Sequence, residues 1–173
     1  MTDTAETANE GVDSETLYGC PVAYSGDQKV IHVDREKWQE LAIDMLNDGW
    51  NMAIDITGVD YLGTERRDLP ESVTPERFEV VLNLISHERK ERIRVRTQLP
   101  EADPKIDSLY SVFPGLDYSE RETYDMFGFE FVGHPDLSRI LMPEDWNGHP
   151  LRKDYETGTI PVKFKYPQGG YDD

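Results

Sequence analysis

The chain has 173 residues, about one domain's worth, with 18 basic and 35 acidic side chains and a formal charge of −17 at neutral pH. That balance argues against a free-standing nucleic-acid binder and against attachment to anionic lipid by charge, because both need basic patches. The single cysteine, Cys20, excludes an intramolecular disulfide framework and any iron–sulfur cluster held by several thiolates of this chain alone.

Apolar residues make up 37% of the chain and aromatics 10%, so the sequence is not disordered throughout. No apolar run approaches the roughly 20 residues of a membrane helix. Met1-Thr2-Asp3-Thr4-Ala5-Glu6 has neither a basic nor an apolar signal region. These features lead us to expect a soluble, acidic, cytoplasmic domain.

Residues 1–16 hold Asp3, Glu6, Glu10, Asp13 and Glu15, no base and only small apolar groups. Such a segment buries too little surface to offset its ordering entropy, so it is expected to be a disordered tail. The first folded unit is expected near Val30-Ile31-His32-Val33, a short β-like run, with Asp34 as N-cap of the helix that follows. Trp38, Leu41, Ala42, Met45 and Leu46 recur on one helical face, and Gly49 sits where a C-terminal cap belongs. Met52, Ile54 and Ile56 then alternate with Ala53, Asp55 and Thr57, which predicts a strand burying those three apolar side chains.

Residues 63–76 read as a loop from Gly63, Pro70, Pro75 and their charges. Phe78 to Ile85 and the alternating Ile93, Val95 and Thr97 predict a hairpin, with Arg92, Arg94 and Arg96 on its outer face. Those arginines are either a solvated sheet face, partly balanced by Glu88 and Glu91, or a docking strip for an acidic partner. Ile106, Leu109, Tyr110 and Phe113 predict a helix stopped by Pro114. Ser119 three residues before Glu122 matches a capping box for a helix from Glu120 to Phe127, closed by Gly128.

Regular periodicity ends there, and residues 133–173 are too long for an ordinary loop. They carry Trp146, Tyr155, Phe164, Tyr166 and Tyr171. An extended arm that orders against something else is the physical solution. The expected fold class is therefore α+β: a small sheet with an antiparallel hairpin and two to three helices over residues 17–132, followed by an arm over 133–173.

Candidate chemistry concentrates at Glu120-Arg121-Glu122-Thr123-Tyr124-Asp125, with His134, Asp136 and Arg139 beyond. Glu122 and Asp125 beside His134 would make an acid–base or metal site, that of a small independent enzyme. The same residues also describe a short, capped, ion-paired helix and a histidine that bonds a turn, the reading favoured here because ion-pair networks are common outside active sites. His134-Pro135 and His149-Pro150 match no zinc spacing. Dinucleotide, Walker and nucleophile-elbow motifs are missing. Gly148-His149-Pro150-Leu151-Arg152-Lys153-Asp154-Tyr155 packs a turn, a basic pair, an acid and an aromatic together, types favoured as interface anchors.

Taken in order, Glu120-Arg121-Glu122-Thr123-Tyr124-Asp125-Met126-Phe127-Gly128-Phe129, Gly133-His134-Pro135-Asp136-Leu137, Arg139-Ile140-Leu141 and Gly148 to Tyr155 closely resemble one family. It is the 30-kDa (C) subunit family of complex I, the proton-translocating NADH–quinone oxidoreductase, with its photosynthetic relatives. The resemblance is strong over residues 118–156 and loose from Val30 onward. One departure is Ser138, where the family usually has a basic residue.

The resemblance implies a hetero-oligomeric peripheral-arm subunit without its own redox centre. Its arm would wrap the large quinone-site (D) subunit, which builds the quinone pocket together with the smaller B subunit. NADH or ferredoxin, quinone, FMN and iron–sulfur clusters would belong to partner subunits, on the cytoplasmic face of the inner membrane or its thylakoid or matrix equivalent. Neither nucleic acid nor membrane insertion is implied. The partner-interface candidates are then Arg121, Glu122, Asp125, Phe127, His134, Asp136, Arg139, Trp146, Arg152, Lys153, Asp154 and Tyr155.

Overall fold

The computed structural model describes residues 15–64 and 66–156. Among them, six strands form one mixed sheet in the order β1-β2-β3-β6-β5-β4. The strands are β1 (Thr16–Leu17), β2 (Cys20–Ser25), β3 (Gln28–His32), β4 (Met52–Asp60), β5 (Phe78–Ser86) and β6 (Glu91–Leu99). Only β3 and β6 run parallel; the other neighbours are antiparallel. Helix α1 (Trp38–Asn47) makes the crossover after β3, and α2 (Asp117–Phe127) packs on the edge strand β4. Two short strands, β7 (Lys105–Asp107) and β8 (Glu130–Val132), pair in parallel beside α2.

The expected hairpin is present as β5 and β6, in register from Phe78↔Leu99 to Ser86↔Glu91. Ile31, Val95, Leu82 and Ile56 line up across four neighbouring strands on one face. They share one buried cluster with Trp38, Leu41 and Met45 of α1 and with Leu116, Phe127, Phe129 and Phe131. Each such side chain contributes about 1.5–3 kcal/mol when fully buried. Arg92, Arg94 and Arg96 do lie on the opposite face, but the last two are only half-exposed. Arg94 donates to Asn83 at 3.2 Å, and Arg96 donates to the fully buried Glu79 at 2.7 Å and to the Tyr61 hydroxyl at 2.9 Å.

Five local expectations need correction. Folding starts before Val30: Glu15 carries an ion pair to Lys29 at 3.5 Å and a hydrogen bond from Tyr24, and β1 and β2 precede β3. Residues 1–14 lie outside the described residues. The strand at Met52 buries Ile56 but leaves Met52 and Ile54 each 44% exposed. A bulge between Ala53 and Asp55 is the reason, because one extra residue flips the alternation.

Residues 106–113 form no helix. Ile106 sits in β7, and the turn that follows is held by the buried Glu120, which accepts from the Ser108 hydroxyl and from the Leu109 N–H at 2.7 Å. Pro114 opens a 3-10 turn that leads into α2, so α2 begins at Asp117 and lacks a side-chain cap; Asp34 likewise makes no capping bond. The C-terminal glycines behave as expected: Gly49 and Gly128 have φ of 90° and 75°. Residues 133–156 continue without regular structure past β8, and 157–173 lie outside the described residues.

Candidate functional site

The candidate residues gather around the last turn of α2. Asp125 is fully buried there and is saturated by the segment that follows β8. One carboxylate oxygen accepts from Arg139 at 2.7 Å; the other accepts the consecutive N–H groups of Ile140, Leu141 and Met142 at 3.1, 2.8 and 2.8 Å. Burial alone would raise this carboxyl's pKa, but those donors outweigh it and hold the group below the usual range. Arg139 also donates to the Gly148 carbonyl at 3.1 Å, joining two stretches of the arm. Arg121 donates to the Ser138 hydroxyl at 3.0 Å and to its carbonyl at 3.2 Å. The departure at Ser138 thus supplies Arg121 with an acceptor.

The end of α2 is closed by the arm as well. Leu151 N–H donates to Met126 O at 3.0 Å, His149 Nδ1–H donates to Asp125 O at 3.0 Å, and Arg152 donates to Phe127 O. This close approach requires glycine at 128, since a Cβ there would lie 2.5 Å from His149 and 2.8 Å from Arg152. Arg152 stacks over the Phe78 ring at 5.1 Å, while Phe127 itself belongs to the core against Phe129.

A second corner fixes the arm at residues 153–154. Asp60, at the end of β4, accepts from Arg77 at 2.9 Å, from Leu62 N–H and from Lys153 N–H at 2.9 Å. Burial opposes ionisation here too, yet the donors pull its pKa down to about 2. Arg77 also pairs with Asp154 at 2.9 Å and with Glu101. Tyr155 packs on Gly148, and Trp146 is half-buried.

Glu122, Asp125 and His134 do not converge into a catalytic constellation. Glu122 is exposed, and Asp125 has its oxygens filled by the arm. His134 accepts the Asp136 N–H on Nδ1 at 3.1 Å and turns Nε2 toward Asp117, 3.5 Å away. Asp136 is itself exposed. Among the described residues no group of three or more histidines, cysteines or acids is placed to hold a metal. Sequence reasoning missed Asp60 and Arg77, whose partners lie up to 93 residues away, and gave no role to Glu120. A polar residue closing an apolar strand, as Asp60 does, was the available signal.

Two solved structures share this architecture. The chain superposes on the trypsin-resistant fragment (1–134) of Nqo5 with a TM-score of 0.62 at 34% identity, covering 69% of this chain and 90% of that one. A chain of the membrane-bound sulfane sulfur reductase, an archaeal respiratory membrane complex, shares the fold with a TM-score of 0.65 at 20% identity, covering 88% of this chain and 91% of that one. The profile described as respiratory-chain NADH dehydrogenase, 30 Kd subunit, matches residues 31–160, and the chain belongs to that family.

The C subunit of the Saccharopolyspora erythraea NADH-quinone oxidoreductase is 40% identical over 158 residues, which is 90% of this chain and 59% of the relative. Its Roseiflexus castenholzii counterpart is 43% identical over 148 residues, 84% of this chain and 79% of the relative. The chain therefore spans less than two thirds of the length of the Saccharopolyspora protein.

Proposed function

We propose that the chain is a non-catalytic peripheral subunit of a complex I-type NADH– or ferredoxin–quinone oxidoreductase. Its arm docks on the large quinone-site (D) subunit, beside the B subunit. Its task is to hold the quinone module in geometry on the cytoplasmic face of the membrane. FMN, iron–sulfur clusters, quinone and the electron donor belong to partner subunits. Family membership supports this reading, and so do relatives named as C subunits of NADH-quinone oxidoreductases. No helix among the described residues is long and apolar enough to cross a membrane, consistent with a peripheral place.

The observation that carries the reading furthest is the saturation of Asp125. A fully buried carboxylate that takes four donors, three of them on one oxygen, is committed to shaping the arm rather than to carrying a proton or a metal. The domain thereby presents a pre-formed platform to a partner.

Affinity purification of the tagged chain from its native membranes, with mass spectrometry and a quinone reductase assay, tests this. Both quinone-site subunits are expected in the eluate, with turnover in the complex and none in the isolated chain. Turnover by the isolated chain, or absence of both subunits, would overturn the proposal.

A further inference from the structure

Three segments meet around the first turn of α2: the turn at 108–110, the helix itself and the start of the arm at 133–136. Glu120 is fully buried, and its carboxyl accepts the Ser108 hydroxyl and the Leu109 N–H at 2.7 Å. Ser108 Oγ in turn accepts the Tyr110 N–H at 3.1 Å, and the Tyr110 ring packs on the His134 imidazole with 5.7 Å between centroids. The Ser108 N–H donates to the Val132 carbonyl at 2.9 Å, which ties the turn to the strand from which the arm departs. The His134 side chain is wholly buried. Its Nδ1 already accepts the Asp136 N–H, so the neutral ring carries its proton on Nε2. That atom faces Asp117 Oδ1 at 3.5 Å, and both atoms are buried without a hydrogen-bond partner among the described residues.

Charge makes this junction sensitive to one proton. Asp117 and Glu120, three residues apart, share one face of α2. Neither pairs with a lysine or arginine among the described residues. Helix α1 presents the uncharged Gln39, which donates to the Ser108 carbonyl at 3.0 Å, and Lys105 of β7 is spent on Glu130 at 2.9 Å. Arg121 turns to Ser138, and Asp136 is exposed. An ionised Glu120 is thus a buried charge with two neutral donors and a second carboxylate beside it; burial and Asp117 both favour the protonated form. We infer that Glu120 is a proton-operated latch on the start of the arm. Protonated, it keeps the 108–110 turn closed with Tyr110 seated on His134; ionised, it lets that turn and residues 133–136 open together as a local event.

Amide hydrogen exchange of the full chain across this pH range, with intrinsic rates divided out, tests the latch. The reporters are the Leu109, Tyr110, His134 and Asp136 N–H groups, and the β5 amides give the rate of global unfolding. The closed state holds the Glu120 proton up to about pH 7, whereas an open, solvated carboxyl releases it near 4.5. Opening is therefore expected to rise about tenfold from pH 6 to pH 8, levelling off at the midpoint of the Glu120 carboxyl titration. The reporters are expected to exchange faster than β5 throughout. Glu120→Gln removes the titrating group and is expected to cancel the response, and a full response in that variant would overturn the inference. Should the variant not fold, the carboxyl carbon shift of Glu120 in the parent decides, since a titration midpoint away from the levelling point would overturn the latch as well. So would a response at Leu109 and Tyr110 that spares His134 and Asp136. Reporters no faster than β5 would open only with the whole domain, which equally rules the latch out.

Discussion

Asp125 and Glu120 sit five residues apart on α2, both fully buried, and their surroundings drive them in opposite directions. Asp125 gains an arginine and three N–H donors and ionises more readily than a free aspartate. Glu120 has two donors, Ser108 Oγ–H and Leu109 N–H, and lies near Asp117; burial dominates and pushes its pKa up to about 7. Because the folded state binds this proton more tightly than the unfolded chain, Glu120's contribution is fully favourable below its ordinary value of 4.5. It is lost as pH rises through about 7. Glu120→Gln is therefore expected to raise the melting temperature at pH 8 relative to the parent and to flatten its decline between pH 4.5 and 7, as read by calorimetry. Asp125→Ala strands Arg139 and three N–H groups, and is expected to cost about 3–5 kcal/mol in chemical denaturation. A loss below about 1 kcal/mol would mean that the arm does not depend on this clasp.

At the scale of elements, packing decides what propensity leaves open. Gly128 ends α2 in the left-handed region and leaves space for His149 and Arg152, so Gly128→Ala brings backbone strain and a steric clash together. We expect about 1–3 kcal/mol of destabilisation and increased protease cleavage between residues 133 and 156. Gly58 plays a similar part in β4, where a Cβ would lie 2.7 Å from Phe129 and 2.8 Å from Phe127. The hairpin and α1 were legible in the sequence because each alternates or repeats cleanly against one core. The segment 106–113 was not: its apolar spacing suits a helix, but Glu120, more than ten residues away, captures its polar groups in a turn. The bulge in β4 was equally hidden, since Met52, Ile54 and Ile56 alternate perfectly on paper.

For the molecule as a whole, the arm belongs to the fold through its second corner, because Asp60 and Arg77 hold Lys153 and Asp154 and Tyr155 packs on Gly148. A chain ending at Glu156 keeps every donor to Asp125 and Asp60 found among the described residues, and is expected to melt like the full chain. A chain ending at Val132 loses the Arg139, Ile140, Leu141, Met142 and Lys153 donors together, and is expected to melt well below it. Equal melting of the two truncated chains would show that the arm adds nothing to the domain.

By itself the sequence determined the family, because an ordered run of motifs from Glu120 to Tyr155 is specific in a way that spacing alone is not. It also determined the α+β class, through periodicities set by local backbone geometry. Which charged residues face one another was decided only by the tertiary structure. Asp60 and Lys153, or Asp125 and Met142, are far apart in the chain, and their pairing depends on how α2 seats on β4. The same long-range closure ties Arg121, Asp125, Arg139 and Arg152, which the sequence offers as partner-interface candidates, into bonds within the domain.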